Sequence, residues 1–229
     1  MPESGGLEPV HVESTASIIA GQLRTAIMRG SLPPGRQLNE AELAARFRVS
    51  RGPLREAMQR LVQEGLLRSE RNRGLFVVEL DPDDVRDIYF ARAAIERAAV
   101  MLILQSKPKQ VATRLASVHR EMKAAARRSD YTALSDADLR FHEVLVAQSG
   151  SKRLARMYAT LLVESRMCLT AMQDTYRFPD EVVEEHGAIM AAIRSADAVR
   201  LSQLIDAHAQ DALQRLAPPA PNNPSAARC

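Results

Sequence analysis

Apolar residues recur at helical spacing along almost the whole of this chain, between residues 13 and 216. Glycine and proline, which usually end helices, are confined to a few short segments between these periodic runs. The pattern predicts a mainly α fold. Residues 1–12 and 217–229 have no apolar period and are rich in proline, glycine and small polar residues, so we expect two flexible tails.

Three short helices are predicted in the first third of the chain. They run from Ser14 to Arg29, from Glu40 to Phe47 after an Asn39 cap, and from a Ser50 cap to about Gly65. The segment from Arg68 to Val78 then predicts a strand, a turn and a strand, with Arg71 and Arg73 at the tip. Together these elements predict a winged helix-turn-helix domain at residues 13–79.

The third predicted helix has two opposed faces. One face is an apolar stripe, and Arg51, Arg55 and Gln59 lie at intervals of four on the other. In a helix-turn-helix, basic residues at the start of the second helix bring guanidinium groups to base edges in the major groove. The alternative for two arginines taken alone is a solvated helix face.

The charge is unevenly distributed along the chain. Residues 1–78 hold 11 Arg and 8 Glu, whereas the remaining residues are balanced, so the whole net charge of +3 lies in the first third. An excess of arginine in this domain favours a surface that faces phosphate.

The remainder, residues 80–216, is predicted to be an all-helical bundle of about six helices. Their predicted ranges are 82–105, 108–128, 131–148, 152–173, 180–195 and 197–216. A bundle of this kind builds its binding sites from polar side chains on facing helices.

Three histidines and one aspartate stand out on these otherwise apolar helices. Asp138 and His142 are four residues apart and share one face, while His186 and His208 lie on the last two helices. One carboxylate and three imidazoles suit a borderline divalent metal ion such as zinc, nickel or manganese, with a coordination position left open. Spacing alone does not show that the four converge, and a single histidine is more often a core or surface residue.

The first domain resembles the GntR-type regulators. The resemblance is carried by GSLPPGRQLNEAELAARFRVSRGPLREAMQRLVQEGLL followed by RNRGLFVV, and covers about residues 14–78. It implies DNA contacts from Ser50, Arg51, Arg55 and the wing around Arg73 and Gly74. Gly52 departs from the threonine usual at that position, so the operator sequence of relatives does not transfer to this chain.

The second domain resembles the FadR-type ligand-binding domain known as FCD. Its first helix carries an Asp-x-Tyr-x-x-Arg-x-x-x-Glu pattern that includes Arg92 and Glu96, and Asp-x-x-x-His occurs at Asp138 and His142. The resemblance implies that these two residues bind a metal with His186 and His208. It also makes Arg92 and Glu96 candidates for the effector site, with Arg92 binding an effector carboxylate. Without the resemblance, Arg92 and Glu96 are an ordinary i,i+4 pair.

Arg166 is a further candidate for the effector site. It lies among Leu161, Leu162, Val163, Met167 and Leu169, which suggests an interior guanidinium and a second group to hold a carboxylate.

These patterns predict a DNA-binding transcription regulator, a repressor that acts as a homodimer on double-stranded operator DNA. A small organic acid bound at the metal site is expected to control its operator affinity. No run approaches the roughly 18 apolar residues that a membrane span needs, and no secretory signal is present, so we expect a cytoplasmic protein without membrane contact.

Two other functions are weighed against this one. A metal-dependent enzyme with an appended DNA-binding domain is compatible with the four ligands, but the sequence offers no general base or nucleophile beyond them. A purely structural helical protein leaves the face with Arg51 and Arg55 unexplained. The sequence therefore favours a regulator and not an enzyme.

Overall fold

A computed structural model describes residues 13–171 and 179–216, and the predicted tails at 1–12 and 217–229 lie outside them. The chain divides into two compact units, with the division between Val78 and Glu79. Both units are built mainly from helices, so the predicted mainly α fold is confirmed. No helix within the described ranges is long and apolar enough to cross a membrane.

The N-terminal unit has the elements of a winged helix-turn-helix. In chain order these are α1 (Thr15–Met28), β1 (Gln37–Leu38), α2 (Glu40–Phe47), α3 (Arg51–Gln63), β2 (Leu67–Glu70) and β3 (Gly74–Val77). The three strands form an antiparallel sheet with β3 in the centre, where Leu67 of β2 lies opposite Val77 and Leu38 of β1 lies opposite Leu75. Strand β1 has no sequence signal, because two residues are too few to show an alternating pattern.

Local side chains explain where the short helices begin and end. The side chain of Asn39 accepts hydrogen bonds from two backbone N–H groups in the first turn of α2, at 2.9 and 3.2 Å. Arg48 ends α2 in the left-handed region with φ of 55°, which turns the chain into α3. Arg24 of α1 fixes the far end of α3, since its Nε and Nη2 donate to the Glu64 carboxylate at 2.8 and 2.6 Å.

The C-terminal unit contains six helices in the described residues. They are α4 (Pro82–Ser106), α5 (Pro108–Arg127), α6 (Tyr131–Gln148), α7 (Lys152–Ala171), α8 (Pro179–Ser195) and α9 (Ala198–Leu216). Each agrees with a predicted helix to within one or two residues, although the predicted end of the fourth at residue 173 lies outside the described residues. Helix α4 begins at a capping box, in which Asp81 and Asp84 each accept a backbone N–H of the other.

The core of this unit is mostly apolar but contains a buried polar cluster. Helices α5, α6 and α8 pack around Leu115, Met122, Phe141 and Ile193, which are fully buried. Eight polar side chains are buried in the same unit: Arg92, Glu96, His119, Asp138, His142, Ser165, His186 and His208. Burying polar groups is costly unless each is hydrogen-bonded, and every buried side-chain nitrogen and oxygen in the described residues has a partner.

Candidate DNA-reading surface and metal centre

Helix α3 has the two opposed faces that the sequence predicts. Leu54, Ala57, Met58 and Leu61 are fully buried. Arg51, Gly52, Arg55 and Gln59 are all exposed, so one side of the helix is free to meet a partner. Gly52 has open space where a side chain would begin, with no atom within 4 Å of an added Cβ.

The start of α3 differs from the expectation in one respect. Ser50 occupies the N-cap position in an extended conformation, but its hydroxyl makes no capping hydrogen bond. The predicted start of this helix at a Ser50 N-cap is confirmed, without a capping hydrogen bond from the serine side chain. Because Ser50 is exposed, its hydroxyl and the free amides of the first turn can bind an anion.

Two of the exposed arginines are held by carboxylates within the domain. Nε of Arg55 donates to Oε2 of Glu40 in α2 at 2.8 Å, while Arg51 has no ion-pair partner among the described residues. In the wing, Arg73 is paired with Glu70, and its guanidinium lies 5.2 Å from the centre of the Phe76 ring. These contacts limit the positions that Arg55 and Arg73 occupy.

The wing turn has a backbone that suits its residues. Arg71 is exposed in the turn between β2 and β3, and Asn72 and Gly74 have φ of 62° and 102°. Asparagine and glycine tolerate this left-handed region better than other residues. The turn thereby leaves Arg71 at the surface.

The four residues with metal-ligating side chains come together in the C-terminal unit. Asp138 and His142 are on α6, His186 is on α8 and His208 is on α9, and one ligand atom from each lies within 4.8 Å of the others. Nε2 of His142 lies 3.0 Å from Nε2 of His208 and 3.2 Å from Nε2 of His186. Oδ1 of Asp138 lies 3.1 Å from Nε2 of His186. Three imidazole nitrogens and one carboxylate oxygen thus face a single point.

The outer nitrogen of each imidazole fixes the tautomer of its ring. Nδ1 of His142 lies 3.0 Å from Oε2 of Glu96, Nδ1 of His186 lies 2.7 Å from the Val182 carbonyl oxygen, and Nδ1 of His208 lies 2.8 Å from Oε2 of Glu185. Because each of these oxygens accepts a hydrogen bond, Nδ1 carries a proton in each ring, and the neutral form of the ring presents a lone pair at Nε2. The three lone pairs therefore point toward one another.

The electrostatics of the cluster favour a cation at that point. Burial lowers the pKa of His142 to about 4 although Glu96 opposes the change, so this ring is neutral at pH 7. Burial alone would lower the pKa of His186. The hydrogen bond and charge of Asp138 outweigh burial, so the pKa lies above its ordinary value. The pKa of Asp138 lies below its usual value, because the neighbouring histidines outweigh its burial.

The donor set fits a divalent metal ion. Ligand nitrogens and oxygens lie roughly 2.0–2.2 Å from zinc, so neighbouring ligand atoms around one ion are about 3 Å apart. Three of the separations, at 3.0–3.2 Å, match this spacing, and all four ligand atoms lie within 4.8 Å of one another. Converging lone pairs at this distance repel unless a cation or a proton lies between them.

Glu96 is placed differently from the effector role expected of it. Its carboxylate accepts from the Tyr158 hydroxyl at 2.5 Å and from Nη2 of Arg92 at 3.4 Å, in addition to His142. The side chain is 3% exposed, and its pKa is lowered because His142 and Arg92 outweigh the effect of burial. Glu96 therefore orients His142 and balances the charge of Arg92, and contact between Glu96 and an effector stays a prediction.

A small cavity of about 30 Å³ lies beside the cluster. Its lining is formed by Tyr89, Arg92, Asp138, Leu169, Val182, His208, Ala212, Arg215 and Leu216. Arg92 and Arg215 bring two guanidinium groups to the wall that also contains two of the four metal-ligating side chains. Nη2 of Arg215 donates to Oε1 of Glu185 at 2.5 Å, and Oε2 of the same carboxylate faces His208.

Arg166 does not lie in the interior as expected. A third of its side chain is exposed, and its guanidinium is paired with Asp136 on α6, away from the cavity lining. The apolar neighbours of Arg166 in sequence bury its helix, but the long side chain carries the charge outward. The prediction of an interior Arg166 is wrong, and Arg215 is the second arginine at the cavity.

Three residues of this site were missed by sequence reasoning. Tyr158, Glu185 and Arg215 lie on three different helices and contact Glu96, His208 and Glu185, respectively. Glu185 is the one with a usable signal, since a carboxylate directly before a metal-binding histidine is a candidate partner for another ligand. Tyr158 and Arg215 have no signal at the level of spacing.

Comparisons with known proteins agree on one family. The model for "Bacterial regulatory proteins, gntR family" matches residues 15–77, and the FCD domain model matches residues 87–211. The transcriptional repressor GlaR of Escherichia coli K12 is 30% identical over 194 residues, covering 81% of this chain and 88% of GlaR. The gluconate operon transcriptional repressor of Bacillus licheniformis is 28% identical over 189 residues, covering 80% of this chain and 77% of the repressor.

Solved structures give the same result. A GntR transcriptional regulator from Rhodococcus sp. RHA1 has a TM-score of 0.79 at 27% identity, covering 91% of this chain and 100% of that one. The Escherichia coli protein McbR has a TM-score of 0.74 at 22% identity, covering 90% and 98%, and shows the shared fold. This chain therefore belongs to the GntR family of bacterial regulatory proteins, with a DNA-binding domain followed by an FCD domain, and is a regulator of transcription and not an enzyme.

Proposed function

We propose that this regulator is a cytoplasmic repressor that binds operator DNA as a homodimer. Its affinity for the operator changes when a small carboxylate binds beside a metal ion. The observation that carries the proposal is the convergence of three histidine Nε2 atoms and one aspartate oxygen beside a cavity that contains two arginines. The two domains supply the two sites that such a linkage requires.

The DNA contact is assigned to the exposed face of α3 and to the wing. Arg55 and Gln59 have side chains that can read base edges, while Arg51 and the free amides in the first turn of α3 can bind base edges or phosphate. Ser50 and Gly52 belong to this first turn, while Arg71, Arg73 and Gly74 form the wing tip. These residues support the proposal because all of them are exposed among the described residues of the domain, at 13–78.

The metal site is assigned to Asp138, His142, His186 and His208. Zinc, nickel and manganese all accept such a set of nitrogen and oxygen ligands. When bound, the ion would offer a coordination position for an anionic ligand. The role of the protein is to fix the tautomer of each imidazole from behind, through Glu96, the Val182 carbonyl oxygen and Glu185.

The effector is assigned to the class of small carboxylates. A cavity of about 30 Å³ accommodates one or two water-sized groups, which matches the carboxylate end of a ligand better than a large body. Arg92 and Arg215 line it with positive charge, and a carboxylate binds a guanidinium strongly when both are shielded from water. One relative is named for the gluconate operon, and gluconate is a small carboxylate.

The interface between the two copies of the dimer is assigned to helix α4. Phe90, Ala94, Ala98 and Leu102 are exposed and lie at intervals of four, so they form an apolar row about 18 Å long on one side of this helix. Met101 extends the row. An apolar row of this length is costly to leave in water, and a second copy of the same row covers it with two-fold symmetry.

One experiment tests the metal site and its coupling to carboxylate binding. Metal content of the purified full-length protein is measured first, and small organic acids are then screened by thermal shift with and without a chelator. The expected result is bound metal at about one ion per chain and a carboxylate that raises the melting temperature only when the metal is present. If the Asp138→Ala, His142→Ala variant retained full metal content and the same carboxylate response, the site assignment would be wrong.

A further inference from the structure

We infer that Glu40 determines the base preference of Arg55. It is a positioning residue that holds the guanidinium of this arginine so that its two Nη atoms face the DNA. The inference rests on the proposed contact between α3 and operator DNA, and adds to it a residue that lies outside the recognition helix.

The geometry fixes the carboxylate first. Glu40 is the first residue of α2, directly after the Asn39 cap whose side chain accepts two backbone N–H groups at 2.9 and 3.2 Å. The cap determines where α2 begins and therefore where Glu40 points. Its Oε2 accepts from Nε of Arg55 at 2.8 Å, which joins the first turn of α2 to the reading face of α3.

The choice of nitrogen determines what Arg55 has left to offer. A guanidinium makes paired hydrogen bonds either from its Nε side or from the end formed by its two Nη atoms. Glu40 occupies Nε, so the Nη end is the part that remains for a partner. Two parallel N–H groups at that end match O6 and N7 of guanine in the major groove.

Arg51 provides a contrast on the same face. It is exposed like Arg55 but has no ion-pair partner in the described ranges 13–171 and 179–216. An arginine without a partner samples many rotamers and suits a phosphate, which accepts from many directions. The arginine with an oriented guanidinium suits a base, which accepts from one direction.

The charge of Glu40 has a second consequence. A carboxylate beside the DNA repels phosphate and cancels part of the attraction of Arg55, so it weakens binding to any sequence. A residue kept only to hold α2 against α3 would have little effect here, because 61% of the Arg55 side chain is exposed and exposed ion pairs contribute little to stability. The ion pair between Glu40 and Arg55 therefore lowers the affinity for DNA of any sequence and increases the preference of Arg55 for one base.

The test is an in vitro selection from a random double-stranded DNA library with the full-length protein. The selection compares wild type with the single variants Glu40→Ala, Glu40→Gln, Glu42→Ala and Arg55→Ala, and with the double variant Glu40→Ala, Arg55→Ala. Glu42 is the matched control, because it is exposed in the same turn of α2 and carries the same charge. We expect wild type to enrich a motif with a guanine in each half-site, and the preference for this guanine to fall strongly but remain measurable in Arg55→Ala.

The variants separate orientation from charge. Glu40→Ala is expected to reduce the preference for that guanine by roughly tenfold, with the other positions of the motif unchanged. Glu40→Gln retains an oxygen for Nε and is expected to keep most of the preference. Both variants are expected to strengthen binding to random DNA and to steepen its salt dependence by about one phosphate contact. Glu42→Ala should leave the motif as it is.

A double variant completes the test. If Glu40 acts through Arg55, Glu40→Ala adds no further loss of guanine preference to Arg55→Ala. An unchanged motif in Glu40→Ala, or additive losses in the double variant, would overturn the inference while leaving the DNA-binding function intact. If the wild type enriches no motif at all, sequence-specific binding itself fails, and the inference fails with it.

Discussion

Nδ1 of His208 lies 2.8 Å from Oε2 of Glu185, and the other oxygen of this carboxylate accepts from Arg215 at 2.5 Å. A residue that lines the cavity is thereby connected to a residue of the proposed metal site through one half-buried side chain. The pKa of Glu185 is lowered because His208 and Arg215 outweigh its burial, so the carboxylate is charged and orients both partners.

Replacing Glu185 by glutamine is therefore expected to weaken metal binding. The neutral amide is a poorer acceptor for Nδ1–H of His208, and loss of such a partner typically lowers metal affinity by about 10- to 100-fold. The measurement is competition with a zinc-binding dye. Glu184→Gln is the control, since Glu184 is exposed one residue earlier. Equal affinities in the two variants would contradict a role for Glu185 at the metal.

Metal affinity is expected to fall as the pH decreases. The pKa of His186 is raised above the ordinary value of 6.5, because Asp138 outweighs burial, so a proton competes for Nε2 at pH values around and above 6.5. His142, with a pKa of about 4, stays neutral and adds no competing proton in this range. Below the pKa of His186 we expect about a tenfold loss of affinity per pH unit. If the metal affinity did not change between pH 8 and pH 6, competition by this proton would be ruled out.

Arg215 is expected to be needed for the carboxylate response. Arg215→Ala removes a guanidinium from the cavity wall, and we expect the thermal shift caused by the effector acid to disappear. Arg166→Ala is the control, because this arginine is paired with Asp136 outside the cavity. If Arg215→Ala kept the same thermal shift as Arg166→Ala, Arg215 would not be part of the ligand site.

The contrast between these two arginines shows what the sequence does not contain. Both have apolar neighbours along the chain, so periodicity places both on partly buried helices. The direction in which a long side chain extends depends on the nearest acidic side chain in space. Arg166 is paired with Asp136 outside the cavity, whereas Arg215 is paired with Glu185 at the cavity. These partners are 30 residues away in the sequence, beyond the range of any local pattern.

The histidines show the same limit in another form. Asp138 and His142 share a helix face by spacing alone, so half of the ligand set follows from the sequence. His186 and His208 join them only because α8 and α9 pack beside α6, and the family resemblance, not the periodicity, anticipates this packing. The helices themselves were predicted closely because caps and breaks are local features.

A side chain at position 52 is expected to be tolerated. A Cβ at Gly52 meets no atom within 4 Å, and glycine within a helix is less favourable than alanine by up to about 1 kcal/mol. Gly52→Ala should therefore raise the free energy of unfolding by a few tenths of a kcal/mol, since the residue is near the helix start. Gly52→Thr adds a hydroxyl on the reading face, and we expect tighter operator binding from this variant alone. Thermal unfolding and fluorescence anisotropy measure the two effects, and a loss of stability in Gly52→Ala would contradict the open space at this position.

The apolar row on α4 leads to a last prediction about assembly. Leu102 is 40% exposed and Phe90 is 69% exposed, and we expect Leu102→Glu and Phe90→Glu each to convert the dimer to a monomer in sedimentation equilibrium. A charge on each copy of a two-fold interface faces its own image, so repulsion is added to the lost apolar contact. Operator affinity is expected to fall at the same time, because two linked DNA-binding domains bind an operator with two half-sites far more tightly than one domain does. Val199→Glu is the matched control, since Val199 is 72% exposed on α9, outside the row, and this variant should remain a dimer with unchanged operator affinity. A dimer that survived both α4 substitutions would place the interface elsewhere.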